Sequence, residues 1–204
     1  MININFLKIE IQNFKSIGEK TVFEFSKHSG LNYIFGINKD IEGTTNGVGK
    51  STIFVDAVLF ALFGKTLKNT KNSYIPNRIF ADKMPTIVSL EFLVNDKKYK
   101  TSSIIKKSNY PVSFKLYEFV DNDWKDISKS STNKTKEFLS NEIIRYPFEL
   151  FINSIILSSS NSYHFFQMDK RDKVKYIENI FNITCFSEMC ALIRSDLNAL
   201  NKKI

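Results

Sequence analysis

The segment from residue 44 to residue 52 has the side chains and spacing of a phosphate-binding loop. It reads Thr-Thr-Asn-Gly-Val-Gly-Lys-Ser-Thr. Glycines allow backbone N–H groups to wrap a phosphate, and the lysine and serine that follow supply a positive charge and a hydroxyl. We therefore expect Lys50 to reach the β- and γ-phosphates of ATP as a catalytic residue, and Ser51 to be a ligand of Mg²⁺.

The nucleotide is expected to contact most of this loop. The candidate ATP-binding residues are Thr45, Asn46, Gly47, Val48, Gly49, Lys50, Ser51 and Thr52. The strict form of the motif has a further glycine at the position that Thr44 occupies. Because that glycine is missing, a glycine-rich turn that arose by chance is the alternative interpretation, and the flanking segments argue against it.

Apolar segments on both sides of the loop predict the elements that position it. Residues 31–35 predict a strand that is apolar enough to be central in a sheet. Residues 51–63 are apolar on all sides and predict a helix packed against that sheet, with Gly64 as its end. Strand, loop and helix in this order place the positive end of the helix at the bound phosphates.

The rest of the pattern indicates an α/β fold with a mixed sheet. Alternating apolar and polar residues predict strands at 7–11 and 21–25. Four more segments with the same alternation are separated by turn residues and predict an antiparallel β meander: 87–94, 99–105, 112–120 and 124–127. A short amphipathic helix is expected before Pro147.

The C-terminal residues predict helices that lead into a coiled coil. Apolar positions recur at alternating spacings of three and four: Cys190, Ile193, Leu197, Leu200 and Ile204. This spacing is typical of a coiled coil, and over so short a stretch it also suits an ordinary amphipathic helix. We expect a lobe over residues 1–185 and the start of a coiled-coil helix over 186–204, with a continuation after Ile204.

The formal net charge of +8 and the pI of about 9.3 suit a polyanionic partner. Only four of the 29 basic residues are arginine, so a solvated lysine-rich surface is an equally good interpretation. If DNA is the partner, we expect weak, sequence-independent contacts from lysines after the loop helix and in the meander: Lys65, Lys68, Lys97, Lys98, Lys106 and Lys107.

Other classes of site leave no pattern in the sequence. Cys185 and Cys190 have no matching cysteine or histidine set and are expected to be buried free thiols in a reducing compartment. His28 and His164 are far apart in sequence, so we expect neither a zinc site nor a nuclease metal centre. No apolar run suits a membrane span and no signal peptide is recognisable, so a cytoplasmic protein without a membrane partner is expected.

These motifs together resemble the N-terminal half of an SbcC-type ATPase. The resemblance rests on Asn-Phe-Lys-Ser at 13–16, the loop itself, Asp56-Ala57 and Leu62-Phe63-Gly64. SbcC-type proteins are SMC-like DNA-repair ATPases and include the large subunit of phage recombination endonucleases. In that family a long coiled coil divides a P-loop, ABC-type ATPase head into two lobes, so this chain is expected to be the N-terminal lobe.

The resemblance implies an ATPase that is incomplete without the C-terminal lobe of the same head. Two heads would form a homodimer around two ATP molecules, with an SbcD-type nuclease subunit and double-stranded DNA as further partners. The implied function is processing of DNA double-strand breaks in recombination, with ATP-driven head dimerisation gating DNA access, in the host cytoplasm if a phage encodes the protein. The alternative is a non-catalytic, SMC-like structural module that tethers DNA and uses ATP only as a clamp.

The resemblance also draws attention to residues outside the loop. Lys15 matches the basic residue that approaches the nucleotide. Ser159 stands where the family usually has a glutamine, so it is expected to be a catalytic residue and a second Mg²⁺ ligand. The inserted residues 36–43 form either a surface excursion or a flap over the nucleotide, with Asn38 and Asp40 near the ribose or the metal.

Overall fold

A computed structural model of the chain describes residues 3–38, 44, 47, 49–80, 83–106, 111–156, 168–181 and 183–201. The chain forms two compact units, residues 1–145 and residues 146–204. The first unit contains a six-stranded sheet and the phosphate-loop segment, and the described residues of the second form three helices.

The sheet of the first unit has the strand order β2-β1-β3-β4-β5-β6, and every neighbouring pair is antiparallel. Its strands are β1 (Ile4–Gln12), β2 (Thr21–Glu24), β3 (Thr86–Val94), β4 (Lys97–Ile105), β5 (Ser113–Val120) and β6 (Asp123–Asp126). The predicted mixed sheet is therefore antiparallel throughout its described strands, and the meander prediction is confirmed.

Side-chain alternation and turn residues explain the meander. Val88, Leu90 and Phe92 point into the core and are fully buried, as a two-residue period requires. Asn95 lies at the β3–β4 turn with a positive φ of 54°, a conformation that asparagine tolerates better than most residues. These local signals are the reason that the strand positions could be predicted.

The segment after the phosphate loop is helical from Lys50 onwards. It is a π-helix over Thr52–Ala57 and continues as α1 (Val58–Phe63); we call residues 50–63 the loop helix. All residues of α1 are buried, and the Phe60 ring lies 5.3 Å from the ring of Phe14 at the end of β1. Gly64 ends the helix with a φ of +65°, as predicted.

The predicted central strand at residues 31–35 is wrong for this structure. The segment belongs to no strand, and Leu31, Tyr33 and Phe35 are 104%, 90% and 67% exposed. An extended segment becomes a strand only when a neighbouring strand accepts and donates its backbone hydrogen bonds. No described strand of this chain does so, and an apolar sequence alone could not reveal that.

A further helical segment closes the first unit. Helix α2 (Thr132–Phe138) begins after Ser131, whose hydroxyl accepts the Lys134 N–H at 3.2 Å, and continues as a π-helix over Leu139–Ile144. Leu139 and Ile144 are fully buried. The predicted amphipathic helix before Pro147 is confirmed, with an earlier start than the sequence indicated.

The second unit contains α3 (Phe148–Ser154), α4 (Lys170–Phe181) and α5 (Thr184–Asn201). Ile193 and Leu197 of the predicted coiled-coil stripe lie on α5 and are more than half exposed. Cys185 and Cys190 are free and exposed, so the expectation of buried thiols is wrong. Among the described residues, no helix has the length and apolar character needed to cross a membrane.

Candidate functional site

The phosphate-loop segment has the backbone conformation that its glycines allow. Gly47 and Gly49 have φ angles of +80° and +82°, in the left-handed region where a Cβ atom is strained. The predicted contacts Thr45, Asn46 and Val48 lie outside the described residues. Lys50 and Ser51 begin the loop helix, half-buried and exposed respectively.

Helical hydrogen bonding starts directly behind the second glycine. The N–H of Ile53 donates to the carbonyl of Gly49 at 3.1 Å. The first N–H groups of a helix have no acceptor within the helix and carry its partial positive charge. Lys50, Ser51 and Thr52 thus combine helix-terminal amides, an ammonium and two hydroxyls in one place, which is the donor set that a polyphosphate requires.

A tight turn after β1 lies behind the loop. A Cβ atom on Gly49 would lie 3.2 Å from Ser16 Oγ and 3.3 Å from Ile17 Cδ1, so only glycine fits there without a shift. The Ser16 hydroxyl also lies 2.9 Å from the hydroxyl of Thr52. The turn therefore supports the loop and the beginning of the loop helix together.

Lys15 lies in this same turn and is paired with Asp56 of the loop helix. The Lys15 ammonium lies 2.5 Å from Asp56 Oδ2, with the two side chains 23% and 13% exposed. The backbone N–H of Leu67 donates to Asp56 Oδ1 at 3.1 Å. The structure thus places the Lys15 side chain beside the loop helix and shows a carboxylate partner that the sequence did not predict.

Asn13 organises the turn; it lies in the Asn-Phe-Lys-Ser segment, where the sequence predicted a role for Lys15 and none for Asn13 itself. It is fully buried with a φ of +50°. Its side-chain amide donates to the carbonyls of Phe80 and Met84 at 3.2 and 2.6 Å, and its side-chain oxygen accepts the Asn77 N–H at 2.9 Å. Besides its place in that segment, its type was a signal, because asparagine tolerates a left-handed backbone and offers both donors and an acceptor.

The insertion before the loop is closed by one residue pair. The Asn38 side-chain amide donates to Thr44 Oγ1 at 2.9 Å, and the Asn38 N–H donates to the Thr44 carbonyl at 3.3 Å. These bonds bring the two ends of the insertion together just before the glycines. Asp40, and likewise Ser159, lies outside the described residues.

The candidate DNA-binding lysines differ in their surroundings. Lys97 lies 3.4 Å from Glu118 and Lys98 lies 3.1 Å from Glu91, so both are partly neutralised. Lys68 and Lys106 are exposed, and Lys107 lies outside the described residues. Within the described part of the chain, no group of three His, Cys, Asp or Glu side chains could hold a metal ion.

Comparison with known proteins agrees with this arrangement. The family model described as an AAA domain matches residues 8–203. The SbcC component of the SbcCD nuclease of Staphylococcus haemolyticus is 30% identical over 180 residues, covering 82% of this chain and 18% of the relative. Exonuclease subunit 2 of Escherichia phage RB69 is 26% identical over 197 residues, covering 96% of this chain and 32% of the relative.

Exonuclease subunit 2 of Enterobacteria phage T4 is 22% identical over 190 residues, covering 93% of this chain and 30% of the relative. The chain therefore spans at most about a third of the length of these curated relatives. The family match covers the turn after β1, the glycine loop, the loop helix and most of the second unit. The chain belongs to the AAA domain family and, within it, is an SbcC-like protein related to the phage exonuclease subunits.

Proposed function

We propose that this chain is the ATP-binding lobe of an ATPase that processes DNA double-strand breaks together with a nuclease subunit. The observation that carries the proposal is the phosphate loop: two glycines with positive φ, followed by Lys50 and Ser51 at the beginning of a helix. Relatives named as nuclease and exonuclease subunits support the link to a nuclease complex.

Each residue of the site has a distinct proposed role in binding ATP. Loop and helix-terminal N–H groups donate to the phosphate oxygens, and Lys50 neutralises charge on the β- and γ-phosphates. Ser51 holds Mg²⁺, and Ser159 is the proposed second ligand; when bound, Mg²⁺ offsets phosphate charge. The remaining predicted contacts, Lys15, Asn38, Thr45, Asn46, Val48 and Thr52, complete the nucleotide site.

The phosphate site is tested by removing its lysine. Lys50→Ala is expected to abolish MgATP binding, measured by calorimetry, because it removes the ammonium nearest the phosphates. Lys27→Ala is the matched control, since Lys27 is an exposed lysine paired with Glu24 just after β2. Unchanged affinity in a folded Lys50→Ala protein would rule out this phosphate site.

The head is proposed to need a second lobe, and the exposed segment 31–37 supports this. Its odd-numbered residues Leu31, Tyr33, Phe35 and Ile37 are all more than 60% exposed. Exposed apolar side chains in a segment that belongs to no strand suit a surface that another lobe covers. We propose that the C-terminal lobe of the same head covers this segment.

Turnover separates the proposed function from its alternative. Phosphoryl transfer requires a positioned water and charge stabilisation around the γ-phosphate. Residues 1–204 alone should therefore hydrolyse ATP near the background rate, and addition of the C-terminal lobe should restore turnover through dimerised heads. ATP binding without turnover in the complete protein would favour the non-catalytic DNA-tethering module instead.

The partners of the complete protein follow from the same proposal. They are a second head in a homodimer, an SbcD-type nuclease subunit and double-stranded DNA. The ATP-bound dimer is proposed to control the access of this DNA to the complex. The expected site of action is the cytoplasm. Co-purification of the complete protein with its nuclease subunit, followed by nuclease assays with and without ATP, tests whether head dimerisation gates DNA.

A further inference from the structure

Asp56 is an acidic residue of the loop helix that none of the roles above uses. Both of its carboxylate oxygens are engaged: Oδ2 accepts from the Lys15 ammonium at 2.5 Å and Oδ1 from the Leu67 N–H at 3.1 Å. With its side chain 13% exposed, the carboxylate is fixed from two directions. It therefore defines where the lysine ammonium lies.

The backbone of Lys15 is fixed independently of Asp56. Its N–H donates to the Ile75 carbonyl at 2.7 Å, and its own carbonyl accepts from the Asn77 side-chain amide at 2.7 Å. These bonds hold Lys15 at a φ of +50°. Since the backbone is held, the freedom that remains is the direction of a long and flexible side chain.

The backbone turn that carries this side chain lies against the beginning of the loop helix. Ser16, the next residue, contacts both Thr52 and the position of Gly49. Asp56 lies about one helical turn beyond Thr52 on the loop helix, so the turn lies along one side of this helix. An ammonium has three N–H donors, and a hydrogen bond to Asp56 leaves others for a polyphosphate or ribose.

We propose that Asp56 is a positioning residue that holds the Lys15 ammonium at the nucleotide, an inference that rests on the proposed ATP site. Without the carboxylate, a mostly buried ammonium loses its counter-charge and its fixed direction. Asp56 then acts on ATP only through Lys15. If Asp56 had only a general structural role, removal of its carboxylate would weaken ATP binding whether or not Lys15 is present.

The test is a double-mutant cycle on ATP affinity, measured by calorimetry on the whole chain. Asp56→Asn should weaken binding by roughly tenfold, the size expected for a lost hydrogen bond to a charged group. In a Lys15→Met background the same change should have less than about a twofold effect, because the two residues act as one unit. Asp56→Glu keeps the charge and should recover most of the affinity.

Asp121→Asn is the matched control, because it removes a carboxylate from an exposed ion pair with Lys125 at 2.9 Å. Its affinity for ATP should equal that of the wild type. The proposal is overturned if Asp56→Asn binds ATP as the wild type does, or if the loss is equal with and without Lys15. If Asp56→Asn does not fold, the double variant Lys15→Met/Asp56→Asn is compared with Lys15→Met alone. A weaker ATP affinity in the double variant rejects the inference.

Failure of the inference differs from failure of the proposed function. A wild-type chain that does not bind ATP rejects both. A wild-type chain that binds ATP, with a Lys50→Ala variant that does not, leaves the proposed function standing and lets the Asp56 variants decide the inference alone.

Discussion

The hydroxyl groups of Ser16 and Thr52 lie 2.9 Å apart, which joins the turn after β1 to the beginning of the loop helix. The same turn approaches Gly49 just before the helix, where a Cβ atom would lie 3.2 Å from Ser16 Oγ, and it pairs Lys15 with Asp56 on the helix. The phosphate loop is thus held by a turn that precedes it by more than 30 residues in sequence. Its geometry depends on this turn as well as on its own glycines.

Gly49→Ala should weaken ATP binding by more than tenfold. The new Cβ would need a left-handed backbone, which costs an L-residue about 1–2 kcal/mol, and would also press on Ser16 and Ile17. Affinity is measured by calorimetry and folding by circular dichroism. Gly30→Ala is the control, because Gly30 has a φ of +69° with nothing within 4 Å of a new Cβ. Equal affinities for the two variants would contradict the support role of the turn.

Asn13→Gly should lower the free energy of unfolding by about 1–3 kcal/mol, because half-buried partners at Phe80, Met84 and Asn77 lose their hydrogen bonds to the fully buried Asn13. Glycine accepts the φ of +50° without strain, so the loss reports the side chain. Asn13→Ala should lose more, since it adds backbone strain. Urea denaturation measures both, and Asn32→Ala, whose side chain donates only to exposed carbonyls, should change little.

DNA binding should depend more on Lys68 and Lys106 than on Lys97 and Lys98. The last two already lie within 3.4 Å of carboxylates, so fewer counterions are released when they meet a phosphate. DNA affinity is measured by fluorescence anisotropy with duplex DNA over a salt series. The slope of log affinity against log salt concentration should be reduced in magnitude by about 0.9 in Lys68→Ala and in Lys106→Ala. A salt-independent affinity in the wild type, or larger effects from Lys97 and Lys98, would refute this.

Stability of the meander should fall in acid partly through Asp126. Hydrogen bonds from Ser128, then the ammonium of Lys115, lower the pKa of the Asp126 carboxyl from 3.8 to about 2. Because the pKa of this carboxyl is lower in the folded protein than in the unfolded chain, its ionised form stabilises the fold at pH values above about 4. This contribution disappears as the pH falls from about 4 to about 2.

Asp126→Asn should therefore unfold at a lower temperature than the wild type near neutral pH, and the difference should vanish near pH 2. Thermal unfolding at a series of pH values measures this. Asp121→Asn is the control for loss of an exposed carboxylate. A wild-type advantage that persists undiminished at the lowest pH would contradict the assignment.

The sequence alone determined the features that local chemistry specifies. The glycines before Lys50 predicted a phosphate loop, the apolar run after it predicted a buried helix, and two-residue alternation predicted the meander. Each signal lies within about a dozen consecutive residues, where side-chain spacing and backbone preference act directly. The loop glycines, the buried loop helix and the meander strands were consequently found close to their predicted positions.

Only the tertiary structure decided the contacts between distant residues. Lys15 and Asp56 are 41 positions apart and Asn13 and Asn77 are 64 apart, and no local pattern links either pair. The segment at 31–35 looked like a central strand because it is apolar, yet a strand also needs a neighbour to complete its backbone hydrogen bonds. Whether that neighbour exists depends on how the whole chain folds, which a short stretch of sequence does not encode.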